Sequence, residues 1–363
     1  MQVKYRKELD LIPVYIPGKP IDEVKRELGL ERVIKLASNE NPLGFSPYVK
    51  EAVLEAIKES NLYPDGNSTL LKEAISKKYG ISPEMILPTC GSDEMLDLIA
   101  KTFIEQGDEV VMAEITFSRY FATSQMMGAS IKKIPMKNLG YDMDGFKKAI
   151  TPNTKIVWLC NPNNPTGTFF SEKELAALME SVSPETLVVY DEAYSEFAAH
   201  PDYPKNSLKF LEKYKNILIL KTLSKAYGLA GFRLGYTIGD PELLSAINKI
   251  RNPFNVTLLT QAAAAAAIKD EEFLAKVISN NEEGKLYIYE EFDKMGLEYA
   301  KTQANHIIFN AKKDNSTVFN ELLKRGVIIR PVVGFNPNTW LRISLGTMEE
   351  NREFIKELKE VLK

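Results

Sequence analysis

The chain is poor in the side chains on which several common chemistries depend. Its 363 residues contain only two histidines and two cysteines. Neither His200 nor His306 stands at metal-ligand spacing from a cysteine or from the other histidine, so no metal site is expected. Cys90 and Cys160 lie far apart in apolar, strand-like runs; we read both as buried free thiols and no disulfide framework. No apolar run is long enough to span a bilayer, and the opening "MQVKYRKELDLIPVY" is too densely charged for the centre of a signal peptide. The expected location is therefore cytoplasmic. A Gly-x-Ser-x-Gly elbow, a Gly-x-Gly-x-x-Gly turn after a strand and a P-loop are all missing, which weighs against serine hydrolases, dinucleotide enzymes and P-loop phosphotransferases. An excess of one charge is lacking too. With 46 Lys and Arg against 49 Asp and Glu, and no basic stripe, the expected partners are small molecules or protein, not nucleic acid or membrane.

What is present is ordinary globular material, 44% hydrophobic and 26% charged, enough for a sizeable core and two domains. Between residues 46 and 250, short apolar runs alternate with amphipathic stretches, the pattern of an α/β protein with a largely parallel sheet. "DEVVMAEI", "KIVWLC", "TLVVYDEA" and "NILILKTL" read as strands buried on both faces, and "SPYVKEAVLEAIKES" as a helix capped by Ser46 with Pro47 just inside. After residue 250 come long helices, then the short strands "HIIFNA", "VIIRPV" and "WLRISLG" and a closing helix. We therefore expect a large domain at 46–250, with 1–45 and 251–363 supplying an N-terminal arm and a smaller α+β domain. The alanine run at 262–267 reads as close helix packing.

In parallel sheets ligands gather beyond the carboxyl ends of the strands. That rule brings "NPNNPTG", Asp191 and "TLSK" into one crevice. Lys225, in "TLSKAYGLAGFRLGY" (222–236), stands among hydroxyls and small residues, a setting that suits a nucleophilic amine rather than a surface cation. Gly91, Ser92 and Asp93 of "CGSDEMLDLIAKTF" join a strand to a helix, where backbone amides form an anion site, unless Ser92 is simply the helix cap. With Thr222, Ser224 and Arg233 they offer what a phosphate monoester requires. Asp191, ending the apolar run "LVVYD", is a carboxylate whose burial calls for a cationic partner, such as a protonated pyridine nitrogen.

In these motifs and their order the sequence resembles the fold type I pyridoxal-phosphate-dependent aminotransferases, and within them the histidinol-phosphate branch. The matching runs are "KLASNENPLG", "LYPDG", "GSDE", "TFSRY", "NPNNPTG", "DEAYSEF", "TLSKAYGLAGFRLGY", "NPFNV", "GVIIRP" and "LRISLGT", from one end of the chain to the other. The resemblance implies a mostly parallel seven-stranded sheet flanked by helices, pyridoxal 5'-phosphate as cofactor, and a homodimer. It implies that Lys225 carries the cofactor as a Schiff base and then moves the proton, that Asp191 keeps the ring nitrogen protonated, and that Asn164 and Tyr194 bond the ring's phenolic oxygen. Phe117 would stack on the ring, or else belong to the core. Gly91, Ser92, Asp93, Thr222, Ser224 and Arg233 would hold the phosphate, with Tyr63 of "LYPDG" reaching the neighbouring subunit's phosphate.

For the substrate, the resemblance points to Tyr15, Asn41, Asn255, Arg330 and Arg342, with Arg342 also serving glutamate; a turn is the plainer reading of Asn255. The implied reaction moves an amino group between L-histidinol phosphate and 2-oxoglutarate in histidine biosynthesis. Relatives with nearly the same motifs act on aromatic amino acids, and another branch decarboxylates a phosphorylated threonine. Ile115 before "TF", and Thr89 with Cys90 before "GSDE", depart from the usual pattern; we expect them to reshape loops and leave the function in place.

Overall fold

The computed structural model describes residues 3–14, 16 and 18–363. Tyr15 lies outside the described residues. The centre of the fold is a seven-stranded sheet with the spatial order Ile86–Cys90, Leu234–Gly239, Ile217–Thr222, Leu187–Asp191, Thr154–Cys160, Glu109–Ala113 and Ser130–Ile134. Only Leu234–Gly239 runs antiparallel to its neighbours; the remaining pairs are parallel. The continuous apolar runs have the consequence expected of them. Every residue of Leu187–Asp191 and of Ile217–Thr222 is buried, with one core layer built on Tyr190, Ile219 and Phe170 and another on Trp158, Leu218 and Leu220.

The helix Pro47–Ala56 begins as its sequence requires, with the Ser46 hydroxyl accepting from the Tyr48 amide and proline in the first turn. Ser46 also donates to Asp270 at 2.5 Å, which ties this helix to the cap of Glu271–Lys294. The alanine run forms the helix Leu258–Ala267 with Ala263, Ala264 and Ala267 buried, so small side chains do allow close packing. A four-stranded antiparallel sheet, in the order Glu298–Tyr299, His306–Asn310, Trp340–Ser344 and Arg330–Pro331, has its own core of Phe292, Phe309 and Phe354. Thr347 and Glu350 close a capping box on the final helix, Met348–Leu362.

One thiol departs from expectation. Cys160 is buried, but Cys90 is exposed. It is the last residue of the edge strand Ile86–Cys90, where the chain leaves the sheet and turns into the helix Gly91–Phe103, so the apolar run ends before the core does.

Residues 36–41 lace the two sheets together. The Ser344 amide donates to Leu36 O at 2.8 Å, and the Asn41 side chain donates to Ala226 O at 2.9 Å. Gly228 packs against Gly44, just beyond this segment. Its φ is +72°, and a Cβ there would lie 1.8 Å from the Gly44 carbonyl oxygen. The chain's own backbone thus fills the space that this glycine opens. Gly228→Ala should lower stability by about 2 kcal/mol or more, through positive φ and backbone collision together, whereas Gly231→Ala, with nothing near its Cβ position, should stay within about 0.5 kcal/mol. Denaturant unfolding of the two variants checks this.

Candidate active site

Three parallel strands end at one level. Cys160 pairs with Asp191 and Asp191 with Leu220, so the 161–168 loop, Asp191 and the 222–225 turn leave the sheet side by side. This is the crevice that strand order alone called for.

Asp191 forms its floor and is 4% exposed. One carboxylate oxygen accepts from the Tyr120 hydroxyl at 2.6 Å, and the other from the Ala193 amide at 3.0 Å. Tyr120 is stacked flat on Trp158 at 5.3 Å, and Trp158 Nε1 donates to Ser124 at 3.0 Å, so a fully buried aromatic pair fixes the hydroxyl that meets Asp191. Burial lifts the Asp191 pKa to about 6, against the pull of the Tyr120 hydrogen bond. Both donors are neutral, so the ionised carboxylate is costly until a cation is placed against it. Phe117 stands at the start of the helix Ser118–Met126, half-buried and edge-on to Tyr120 at 5.6 Å.

Lys225 lies just past the strand Ile217–Thr222. Its Nζ donates to Ser38 O at 3.2 Å and sits 5.8 Å from the centre of the Tyr194 ring. Desolvation, reinforced by the nearby Arg342 charge, lowers its pKa to about 8. The neutral form that a nucleophile requires is therefore reached at lower pH than for an ordinary lysine.

Tyr194, Asn164 and Arg342 form a chain of hydrogen bonds beside that amine. Asn164 Nδ2 donates to the Tyr194 oxygen at 3.1 Å, and Arg342 Nη1 donates to Asn164 Oδ1 at 2.6 Å. Arg342 Nη2 donates to Ala37 O at 2.7 Å. Arg330 is its cross-strand partner in the four-stranded sheet, with Nη2 donating to Ile16 O at 2.7 Å. Two guanidinium-bearing residues in directly opposed register are unfavourable in a bare sheet and favourable around anions.

At the other end of the crevice the helix Gly91–Phe103 opens. Cys90 occupies the cap position, so Ser92 falls within the first turn and is not the cap; the Ser92 and Asp93 amides are among the orphan donors of a helix start. Gly91 has φ +75°, and a Cβ there would lie 2.6 Å from Arg233 Nη2, so only glycine lets the guanidinium approach this closely. Arg233 also donates to Ala230 O at 3.1 Å and lies 3.7 Å from Asp93 Oδ2. Thr222 donates to Leu234 O and accepts from the Ser224 amide, both at 3.1 Å, which holds the turn before Lys225 in shape. The result is amides, hydroxyls and a guanidinium grouped as an anion cradle.

The remaining expected residues are placed differently. Asn41 spends its side chain on Ala226 O and the Leu43 amide, fastening the backbone next to Lys225. Asn255 accepts from Arg251 at 2.6 Å and donates to Glu94 at 2.7 Å, next to the start of the Gly91–Phe103 helix rather than beside Arg342. Tyr63 is 81% exposed and stacked on Phe254 at 4.7 Å. Three residues that sequence reasoning missed belong to the site: Tyr120 against Asp191, and Asn39 and His306 against Tyr194. Tyr120 and Asn39 lie inside runs already singled out, "TFSRY" and "KLASNENPLG". His306 had been weighed only as a metal ligand. Of the unusual loop residues, Ile115 and Thr89 are buried, and Thr89 donates to Gly91 O at 3.0 Å at the helix start.

Known proteins share this fold. The family described as aminotransferase class I and II matches residues 31–358, and the chain belongs to that family. Its relatives within the family include histidinol-phosphate aminotransferases. That of Moorella thermoacetica is 46% identical over 360 residues, covering 99% of this chain and 93% of the relative. That of Caldicellulosiruptor saccharolyticus is 45% identical over 358 residues, covering 99% of this chain and all of the relative. The crystal structure of histidinol-phosphate aminotransferase from Sinorhizobium meliloti in complex with pyridoxal-5'-phosphate superposes with a TM-score of 0.91 at 28% identity, covering 100% of this chain and 98% of that one.

The Asp191 pKa has a consequence for stability without any ligand. In the folded chain the carboxyl keeps its proton longer than in the unfolded one, so stability is lost as pH rises from about 4 towards about 6. In cofactor-free protein, Asp191→Asn should therefore raise stability at about pH 7.5 by on the order of 2 kcal/mol, with the gain vanishing below about pH 4. Thermal unfolding across that range measures it; an equal gain at all pH values contradicts the assignment.

Proposed function

We propose that this aminotransferase moves an amino group between L-histidinol phosphate and 2-oxoglutarate, using pyridoxal 5'-phosphate. The observation that carries the reading is the Lys225 amine, lowered to about 8, between an anion cradle, a buried carboxylate and a pair of opposed arginines. The cofactor, when bound, supplies an electron sink for the bond changes at the substrate's amine-bearing carbon.

The residues present fit that cofactor. Lys225 would hold its aldehyde carbon, and its amine would move the proton at the substrate's amine-bearing carbon. Asp191, which lacks a cationic partner among the described residues, supplies the charge that keeps a ring nitrogen protonated. Tyr194 and Asn164 would bond the phenolic oxygen, Phe117 would stack on the ring, and Gly91, Ser92, Asp93, Thr222, Ser224 and Arg233 would hold the phosphate. Arg330 and Arg342 recognise the anionic groups of the substrates, the phosphate of one and the carboxylate of the other. Residues 46–250 carry the cofactor, and 1–45 with 251–363 bring the arm and the arginines.

The working unit in this reading is a homodimer in the cytoplasm, with Tyr63 completing the neighbouring subunit's phosphate site. Tyr63 is one of several large apolar residues, including Tyr48, Leu62 and Leu70, that stand exposed between residues 43 and 70, an arrangement typical of a surface meant to be covered. No helix among the described residues is long and apolar enough to cross a membrane.

Borohydride reduction of the cofactor-loaded protein should fix the cofactor to Lys225, and Lys225→Ala should retain cofactor binding through the phosphate while losing turnover. The rate at which cofactor-free protein captures the aldehyde should climb with pH through a midpoint near 8, because only the neutral amine attacks. Specificity constants for histidinol phosphate against phenylalanine and tyrosine decide the substrate; a preference for the aromatic amino acids overturns it.

A further inference from the structure

We propose that His306 is a positioning residue for the reaction: together with Ser344 it clamps the Asn39 side chain so that Asn39 donates to Tyr194, which turns the single Tyr194 hydroxyl proton into the crevice. This rests on the role given above to Tyr194.

The clamp is built from a cross-strand pair. His306 and Ser344 are directly opposed in the four-stranded sheet, and both reach Asn39. Ser344 Oγ accepts from the Asn39 amide at 2.7 Å and donates to Asn39 Oδ1 at 3.0 Å. Both hydrogens of Asn39 Nδ2 are then used, one on the Tyr194 oxygen at 3.0 Å and one on His306 Nδ1 at 3.1 Å. Asn39 has φ +54°, a conformation asparagine tolerates better than most residues, and its own carbonyl accepts from Asn305 at 3.0 Å. The amide thus has every donor and acceptor assigned, and its orientation is determined by the two sheet residues.

For Nδ1 to accept, the imidazole must be neutral and carry its proton on Nε2. Its surroundings favour the neutral form. His306 is fully buried, and burial together with the Arg342 and Lys225 charges holds its pKa well below the ordinary value. Nε2 is buried and closes no hydrogen bond, and the backbone of Asn163 and Pro165 lies near the ring. The ring lies edge-on beneath Tyr194 at 4.9 Å, so it supports the phenol sterically as well.

The consequence falls on Tyr194. Its oxygen accepts from Asn39 at 3.0 Å and from Asn164 at 3.1 Å. With the oxygen accepting from both amides, neither amide takes the hydroxyl proton, which is left for a third group in the crevice. An Asn39 amide turned the other way would take that proton for itself. The charged and titratable groups around the network are Arg342, Lys225, Asp191 and the Cys160 thiol, all of which remain when His306 is replaced.

His306→Phe removes the acceptor, and His306→Asn restores an acceptor near the Nδ1 position. In cofactor-loaded enzyme, His306→Phe should shift the pH midpoint of the visible absorption change upward by about one unit, and lower kcat about tenfold with KM nearly unchanged. His306→Asn should restore most of both. In a Tyr194→Phe background the His306→Phe shift should disappear, since the clamp acts through that hydroxyl. Cofactor-free protein gives an independent reading. With only two histidines in the chain, 15N-histidine labelling yields two ring systems, and the one lost in His306→Asn should report an Nε2–H tautomer that does not titrate near neutrality. An Nδ1–H tautomer, or an undiminished spectral shift in the Tyr194→Phe background, overturns the proposal. Failure of borohydride to trap Lys225 would instead strike the functional reading and leave the tautomer result standing.

Discussion

The candidate site turns on one lysine whose surroundings disfavour its charged form. Lys225 is desolvated beside Arg342, and its amine rests on a carbonyl, Ser38 O, rather than on a carboxylate. A carboxylate in contact would restore the ammonium form and quench the nucleophile. The acids that do act on it, Glu40 and Asp93, do so through space and do not outweigh the burial. The crevice therefore separates its charges, with Asp191 at the floor held by neutral donors and the arginines along the wall.

Separation of this kind needs a rigid frame, and two features provide it. The first is the parallel sheet, whose buried central strands end together and so fix the relative heights of Asp191, the 161–168 loop and the turn carrying Lys225. The second is the segment 36–41, which offers carbonyls to Arg342 and Lys225 and side-chain amides to Tyr194 and Ala226 O. That segment belongs to neither sheet's central strands. It transmits the position of the four-stranded sheet to the large sheet through contacts a few residues long.

Much of the fold was legible because its signals are local. Continuous β-branched runs can be satisfied only by a sheet covered on both faces, and Ser46 with Pro47 marks a helix start on its own. Cys90 was misjudged for a related reason. An apolar run records that a strand is buried along its length, but not the residue at which an edge strand leaves the core. Ser92 is a similar case. Its type suits a helix cap, yet the cap falls two residues earlier, at Cys90, and the helix starts at Gly91, where φ is positive and Arg233 approaches.

By itself the sequence determined the class of fold and pointed to a crevice at the strand ends, because Lys225, Asp191 and Arg233 sit in short motifs whose residue types suit one chemistry; Asn164 was named only through the family resemblance. Only the tertiary structure decided which neutral groups orient them. Tyr120 meets Asp191 through a ring stack on Trp158, and Asn39 meets Tyr194 under the grip of His306 and Ser344. Those contacts join residues from remote parts of the chain, and hydrogen-bond direction depends on angles between elements that no periodicity or spacing encodes.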